Sequence, residues 1–148
     1  NWLKSYLSIM FIETGLFLNA LLLGAMISFV LVTSPTVFKT LDEEYSKKFL
    51  RFIFPRLFNF CFLISIFMFL FFALGEFVFG MVLGMSVAIS FLINTYLLTP
   101  KINKVRDLML EGHTDSGKIF KKLHRASVLL YLLNMIFILA IFIFYYTR

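Results

Sequence analysis

Four long apolar segments divide the chain, and each is long enough to cross a bilayer. A helix of about 17 to 25 apolar residues spans the hydrocarbon core. The segments cover residues 7–32, 57–74, 77–98 and 126–146. The pattern predicts an all-α membrane protein, a four-helix transmembrane bundle made of a single transmembrane domain over residues 1–148.

The second and third segments are separated only by Gly75 and Glu76. Without this break, one apolar helix of about 60 Å would result at 1.5 Å per residue, twice the thickness of the hydrocarbon core. It would also place Glu76 in the middle of the bilayer, where a carboxylate is costly. The break therefore predicts a tight hairpin in which Gly75 relaxes the turn and Glu76 lies in water.

The connections at the opposite ends of the spans are predicted to be amphipathic helices. In the first connection, apolar residues recur three and four apart, and acidic residues precede basic ones, as suits a helix dipole. The apolar stripe is Phe38, Leu41, Tyr45, Phe49 and Phe52. We expect this helix to lie on the membrane surface.

The second connection carries apolar residues up to Met109 and then a break at residues 111–114. Asp115 or Ser116 is expected to cap the helix that enters the fourth span. The three prolines, Pro35, Pro55 and Pro100, are expected at helix ends, where proline is tolerated.

Composition supports a lipid environment. The 148 residues are 61% hydrophobic and 15% charged, against about 45–50% and about 25% in soluble domains. The net charge of +6 does not indicate nucleic acid binding, because the basic residues lie between apolar runs, as membrane anchors do. Cys61 is the one cysteine, so an internal disulfide is excluded.

The basic residues also predict an orientation. All 14 Lys and Arg except Lys4 and Arg148 lie in the two connections, which the positive-inside rule places in the cytoplasm. Both termini are then outside, and the expected location is a bacterial inner membrane. Trp2, Tyr6, Tyr145 and Tyr146 would form the outer aromatic belt.

Two spans carry small residues four apart, a spacing that lets helix backbones approach closely. They are Ala20, Gly24 and Ser28 in the first span, and Gly80, Gly84 and Ala88 in the third. Packing inside the bundle is favoured over self-association. Glu13 shares the face of Ala20 and Gly24, so we expect it to point towards protein, where an ionisable residue is a functional candidate.

The fourth span begins with a polar stripe. His124, Ser127, Tyr131 and Asn134 follow one another at spacings of three, four and three, so they share a face that should be covered by protein. The stripe is interpreted either as interhelical hydrogen bonding or as a functional site, with Asn94 and Asn59 joining it at the cytoplasmic side. We expect His124 to contact Asn94 or the first connection.

No catalytic triad, carboxylate pair or phosphate-binding glycine loop is present in the sequence. Neither a cofactor nor a metal site is expected. Two alternatives stay open: copper bound through methionines such as Met81 and Met85, and haem or redox chemistry at His124.

Four ordered motifs support a family resemblance. They are Thr33-Ser34-Pro35-Thr36-Val37-Phe38, Phe54-Pro55, Leu98-Thr99-Pro100-Lys101-Ile102, and Phe120-x-x-Leu123-His124-x-x-Ser127. In this order they resemble the transmembrane-protein-205-like family. The resemblance implies a four-helix membrane fold and no established reaction. It also implies importance for Pro35, Phe38, Pro55, Pro100, Phe120, His124 and Ser127.

Two classes of function follow. The first is a non-enzymatic membrane protein, which would be an accessory subunit or scaffold that contacts other membrane subunits or itself, or a small transport-related bundle. The second is a haem- or redox-linked membrane enzyme, or a copper-handling protein, that uses His124.

Overall fold

The structure, a computed structural model, describes residues 2–113 and 115–148. Six α-helices follow one another in this part of the chain: α1 (Trp2–Ser28), α2 (Ser34–Thr40), α3 (Glu43–Leu74), α4 (Val78–Ile93), α5 (Thr99–Leu110) and α6 (Ser116–Thr147). Two π-helical segments, Phe29–Thr33 and Asn94–Leu98, continue α1 into α2 and α4 into α5. Four continuous rods result, each long and apolar enough to cross a membrane. The predicted all-α four-helix fold is confirmed.

The first connection differs from its prediction. It is not a separate surface helix, because α2 ends at Thr40 and α3 begins at Glu43 and continues into the second span. The predicted apolar stripe stays exposed on the rod, with Phe38 62% and Tyr45 61% exposed, and Leu50 is buried instead. Pro55 lies inside α3 rather than at a helix end.

The second connection is close to its prediction. α5 ends at Leu110, and Gly112 takes a positive φ of 88° in the turn that follows. The side chain of Asp115 makes no capping bond, whereas the hydroxyl of Ser116 donates to the carbonyl of His113. Thr114, part of the predicted break, lies outside the described residues.

The hairpin between α3 and α4 forms as predicted, but its glycine has a different role. Glu76, not Gly75, takes the left-handed conformation, with φ of 59°, and Gly75 has φ of −80°. A Cβ on Gly75 would lie 2.5 Å from Cγ1 of Ile12. The Ser8 hydroxyl donates to the Gly75 carbonyl at 2.7 Å. Gly75 is therefore required for close approach to α1.

The two ends of the bundle differ in character. Glu76 pairs with Lys4 at 2.9 Å, and Phe77 packs on Tyr145 at 5.8 Å between ring centroids. The start of α1, the α3–α4 turn and the end of α6 therefore share what we call the hairpin end. The other end, with residues 34–56 and 99–125, carries most of the basic residues and is called the basic end.

Around the bundle the order of the long helices is α1, α3, α4, α6. The contact between α3 and α4 is the most extensive, and that between α6 and α1 is the least. Near the hairpin end, the ring of Phe72 is fully buried between two glycines. A Cβ on Gly15 would lie 2.5 Å from this ring, and one on Gly80 would lie 2.9 Å from it.

The rod formed by α1 and α2 and the rod formed by α4 and α5 share several features at one sequence offset, which the sequence analysis did not detect. Gly15 and Gly80 are 65 residues apart, and so are Phe29 and Asn94, the first residues of the two π-helical segments. Pro35 and Pro100 are separated by the same 65 residues. This offset pairs buried positions as well, Leu22 with Val87, Met26 with Phe91 and Phe29 with Asn94. Both rods begin at the hairpin end and run in the same direction, as corresponding helices of parallel repeats do. The offset does not extend to α3 and α6, which begin at Glu43 and Ser116.

Candidate functional site

One face of α6 lines the centre of the bundle. Ser127, Tyr131, Asn134 and Ile138 are all buried, because spacings of three and four place them on a single side of the helix. α1 and the end of α4 cover this face. The polar stripe therefore faces protein from Ser127 onwards.

Three side chains tie this face to its neighbours through hydrogen bonds to backbone carbonyls. Nδ2 of Asn94 donates to the carbonyl of Ser127 at 3.4 Å. The hydroxyl of Tyr131 donates to the carbonyl of Met26 in α1 at 3.0 Å.

Nearer the hairpin end, Nδ2 of Asn19 donates to the carbonyl of Ile138 at 2.9 Å. We call Asn94, Ser127, Tyr131, Asn134 and Asn19 the amide file. Along α6 it extends about 16 Å at helical rise.

Asn134 is the exception in the amide file. It is fully buried, yet neither Oδ1 nor Nδ2 has a hydrogen-bond partner among the described residues. The Oδ1 atoms of Asn19 and Asn94 and the hydroxyl of Ser90 are likewise without partners there. Each such buried group costs about 1–3 kcal/mol. Unpaired hydrogen-bonding capacity is thus concentrated in the centre of the bundle.

The surroundings of the amide file are apolar and uncharged. The rings of Phe58 and Phe91 lie 6.2 and 6.4 Å from the ring of Tyr131, and Leu22 and Val87 are fully buried. Every buried polar residue of the described chain is neutral: Asn19, Ser46, Ser65, Ser90, Asn94, Thr95, Thr99, Ser116, Ser127 and Asn134. The site can therefore offer hydrogen bonds but no side-chain charge.

His124 does not join the amide file, contrary to the expected contact with Asn94 or the first connection. Its side chain lies at the surface and is only partly covered, and its ring stacks on Phe120 at 5.8 Å with 2° between the planes. The guanidinium of Arg106 lies 5.2 Å from the same Phe120 ring. The reason is position: His124 lies on the part of α6 that extends beyond the core and packs on α5.

The environment of His124 also changes its titration. It precedes the span of residues 126–146, and partial burial, followed by the charge of Arg106, lowers the pKa of its imidazole. The neutral imidazole is therefore favoured near neutral pH, where a group with an ordinary pKa of about 6.5 would still be partly charged.

The first small-residue stripe faces outwards, which corrects the expectation for α1. Ala20, Gly24 and Ser28 are exposed, and so is Glu13. Apart from the adjoining backbone of α1, no described atom lies within 4 Å of a Cβ built on Gly24. The cause is the helical register, because the inward face of α1 is formed by Gly15, Leu16, Asn19, Leu22 and Met26.

The second stripe lies inside the bundle. Gly80, Gly84 and Ala88 are buried, and a Cβ on Gly84 would lie 3.3 Å from Cε of Met68 and 3.6 Å from Cα of Phe69. The short distance to a backbone atom shows how closely α4 approaches α3.

Sequence reasoning missed Asn19 and Ser90, although a signal was present for Asn19. It is the one amide in an apolar span of residues 7–32, and polar residues within spans mark packing or function. Asn59, expected to join the polar stripe, lies instead on the outer side of α3 and accepts a bond from the hydroxyl of Tyr96 at 3.4 Å.

Residues 17–111 match the family described as "Domain of unknown function (DUF4149)". The chain belongs to this family. The matched part includes Asn19, both π-helical segments and α5, and it ends before α6. No curated protein and no solved structure matches the chain. Among the described residues, no group of three His, Cys, Asp or Glu side chains is arranged to hold a metal. The protein is thus a small membrane protein of unassigned activity.

Proposed function

We propose that this protein is a small transport-related bundle that admits an uncharged polar solute to the amide file. The observation that carries the proposal is Asn134, whose buried amide has no hydrogen-bond partner among the described residues. Its neighbours on the file bond to backbone carbonyls. Asn134 therefore supplies a free donor and a free acceptor between them.

The cost of this arrangement favours function over packing. A leucine at residue 134 would fill similar space without an unpaired amide, which costs about 1–3 kcal/mol per group. Residues that reduce stability in this way concentrate at functional sites. The neutral lining favours an uncharged solute, because side-chain charge that would offset an ion is missing from the buried part of the described chain.

The correspondence between the rod of α1 and α2 and the rod of α4 and α5 supports the same proposal. In transporters built from repeats, substrate sites lie near the bilayer midplane between the repeats and include interrupted helices. Here Asn19 comes from one half and Asn134 from the other, and each half contains one π-helical segment. Such segments are frequent at functional sites.

The test is Asn134→Leu, assayed for both stability and flux. In detergent, the free energy of unfolding of the variant should equal that of the wild type or exceed it by up to about 3 kcal/mol. In proteoliposomes, the variant should no longer let water, glycerol or urea permeate. Leu133→Met, a change on the adjacent outward-facing residue, is the matched control and should leave both properties unchanged.

Two outcomes would overturn the proposal. A less stable Asn134→Leu variant with unchanged flux would make Asn134 a packing residue. Potassium flux through the wild type that exceeds the flux of all three neutral solutes would exclude the uncharged class.

A second candidate function, an accessory subunit or scaffold, is favoured by the outward face of α1. An exposed carboxyl at Glu13 would lie about 10 Å below Tyr6 at helical rise, a costly position in lipid, and small residues continue on the same face. Another membrane helix, including one from a second copy, would cover it. In a Cys61→Ala background, Gly24→Cys should form a disulfide between two copies in membranes if self-association occurs. Val82→Cys, on the outward face of α4, should not.

We further infer that the basic end lies in the cytoplasm of a bacterium, with the protein in the inner membrane. The distribution of Lys and Arg supports this orientation. In a Cys61→Ala background, Lys118→Cys and Glu76→Cys should react with an impermeant thiol reagent from opposite sides of the membrane. Labelling of residue 118 from outside would reverse the orientation.

Within its family we place the chain in the transmembrane-protein-205-like group. The ordered motifs support this, since two of them coincide with the starts of α2 and α5. An alignment with members of that group tests it: Pro35, Pro100 and His124 should align without gaps inside the four spans. Gaps within the spans would contradict the placement of the chain in that group.

A further inference from the structure

A groove with a volume of about 500 Å³ lies on the outer side of the bundle at the basic end, between α3 and the rod formed by α4 and α5. We call it the basic groove and define it by Arg51, Asn59, Tyr96, Asn103, Lys104 and Asp107, which line it. It is separate from the amide file, which lies inside the bundle.

We propose that the basic groove binds the phosphate headgroup of an anionic glycerophospholipid from the adjoining leaflet. Basic pockets between transmembrane helices on one side of a membrane are suited to such headgroups. Two features of the groove carry the inference: the placement of its charges and the change in polarity along its length.

Arg51 is held in position by Asp107. Two guanidinium nitrogens donate to the two carboxylate oxygens, each at 2.8 Å, and this pair joins α3 to α5. A guanidinium has five N–H donors, so donors remain for a phosphate after the pair has formed. Arginine is well suited to phosphate because of this planar arrangement.

Lys104 supplies the uncompensated charge. It lies one turn before Asp107 on α5, and no described carboxylate forms an ion pair with it. The Arg51 guanidinium lowers the pKa of the Asp107 carboxyl, which stays ionised at neutral pH. Two positive charges therefore face one negative charge, and the groove is cationic overall.

The polarity of the groove falls along the bundle in the order found in a phospholipid. Asn59 lies two helical turns beyond Arg51 towards the bilayer, about 12 Å at helical rise. Its Oδ1 accepts the bond from Tyr96, which leaves the Nδ2 donors for the ester carbonyls of a lipid. The ring of Tyr96, which is 63% exposed, lies at the same level and would adjoin the acyl region of the lipid. A free phosphate ion would use only the charged part of this groove.

The test uses the full-length protein in mild detergent, analysed by native mass spectrometry with added phosphatidylglycerol, phosphatidylcholine or inorganic phosphate. We expect phosphatidylglycerol to be retained preferentially. Lys104→Gln should weaken its retention by about tenfold, as expected for one charge-assisted contact. Lys118→Gln, with the same change of charge on α6, should not. Asn59→Leu should weaken it without a change of charge.

Three results would overturn the proposal. Equal retention of the two lipids would show that the headgroup charge is not recognised. Equal losses in Lys104→Gln and Lys118→Gln would reduce the effect to overall charge. Displacement of phosphatidylglycerol by inorganic phosphate at equal concentration would identify a site for a free anion. The Asn134→Leu flux assay is independent of all three.

Discussion

Helices α1 and α4 occupy equivalent places in the two halves but contact their neighbours in different ways. Gly15 and Gly80 correspond, and both contact Phe72. One turn further along, Asn19 in α1 corresponds to Gly84 in α4. Gly84 lets α3 approach closely, whereas Asn19 reaches α6 through a hydrogen bond to the Ile138 carbonyl. At equivalent positions, α4 therefore contacts its neighbour by close packing at Gly84, and α1 contacts its neighbour by a side-chain hydrogen bond from Asn19.

The comparison also separates two stripes that look alike in sequence. Gly80, Gly84 and Ala88 are buried against α3, while Ala20, Gly24 and Ser28 face outwards. Gly24 corresponds to Ile89 in the repeat, and both are exposed. The position within the repeat, and not the small-residue spacing, determines which face is covered.

The largest expected effect is at Phe72, where the two halves are equivalent. Phe72→Ala should lower the free energy of unfolding by about 3–5 kcal/mol, because it empties a fully buried site. Unfolding in detergent by denaturant measures it. A loss below 1 kcal/mol would contradict the close packing of the ring between Gly15 and Gly80.

The equivalence can be sharpened with a compensating pair. Gly15→Ala alone should be destabilising because its Cβ would lie 2.5 Å from the Phe72 ring. Combined with Phe72→Leu it should cost less than the sum of the two single changes, since residues in contact are not additive.

The next effect should distinguish the two small-residue stripes. Gly84→Leu should cost about 1–3 kcal/mol, because the added atoms meet Met68 and the backbone of Phe69. Gly24→Leu and the control Val82→Leu should leave the free energy of unfolding in detergent within about 0.5 kcal/mol of the wild-type value. Equal losses of stability at residues 24 and 84 would contradict the conclusion that only the second stripe is packed inside the bundle.

A smaller effect is expected at Asn19. Asn19→Leu removes the bond to Ile138, and interhelical bonds in membranes contribute about 0.6 kcal/mol on average. Asn19→Leu also removes the unpaired Oδ1, so it should gain less stability than Asn134→Leu, in which two unpaired atoms are removed and no hydrogen bond is lost. Equal changes in the free energy of unfolding would show that paired and unpaired amides are energetically equivalent here.

The smallest effect concerns Asp107, which corresponds to Asp42 in the first half. Because pairing with Arg51 lowers the pKa of Asp107 in the folded protein, the pair stabilises the fold at neutral pH and loses this effect as acid protonates the carboxyl. Asp107→Asn should remove that part of the decline in stability on acidification. Asp42→Asn, a matched charge change at a residue without an ion pair among those described, should retain it.

Sequence patterns predicted the spans and the hairpin because these depend on length and on the cost of placing charge in lipid. They did not predict which face of α1 is covered, because lipid tails are as apolar as leucine and helix association lacks a hydrophobic driving force. The predicted orientation of Glu13 towards protein was wrong for the same reason. Helical spacing predicted the burial of Ser127, Tyr131 and Asn134, but it failed at His124, where the rod extends beyond the core.

The correspondence between the two rods could not be predicted from the sequence, because equivalent positions share burial but seldom the same residue. Leu22 and Val87, or Met26 and Phe91, correspond in burial and differ in side chain. Such a correspondence becomes visible only when both faces are known.

The π-helical segments have a consequence for residue counting. The amide of Ser34 bonds to the carbonyl of Phe29, and that of Thr99 to Asn94, so each wide turn contains one residue more than an α-helical turn. Deleting one residue from Phe29–Thr33 would rotate everything beyond it by about 100° and move Val37 out of contact. A single insertion or deletion within Phe29–Thr33 or Asn94–Leu98 is therefore expected to destabilise the basic end, because it turns the buried face of the helix that follows away from the bundle.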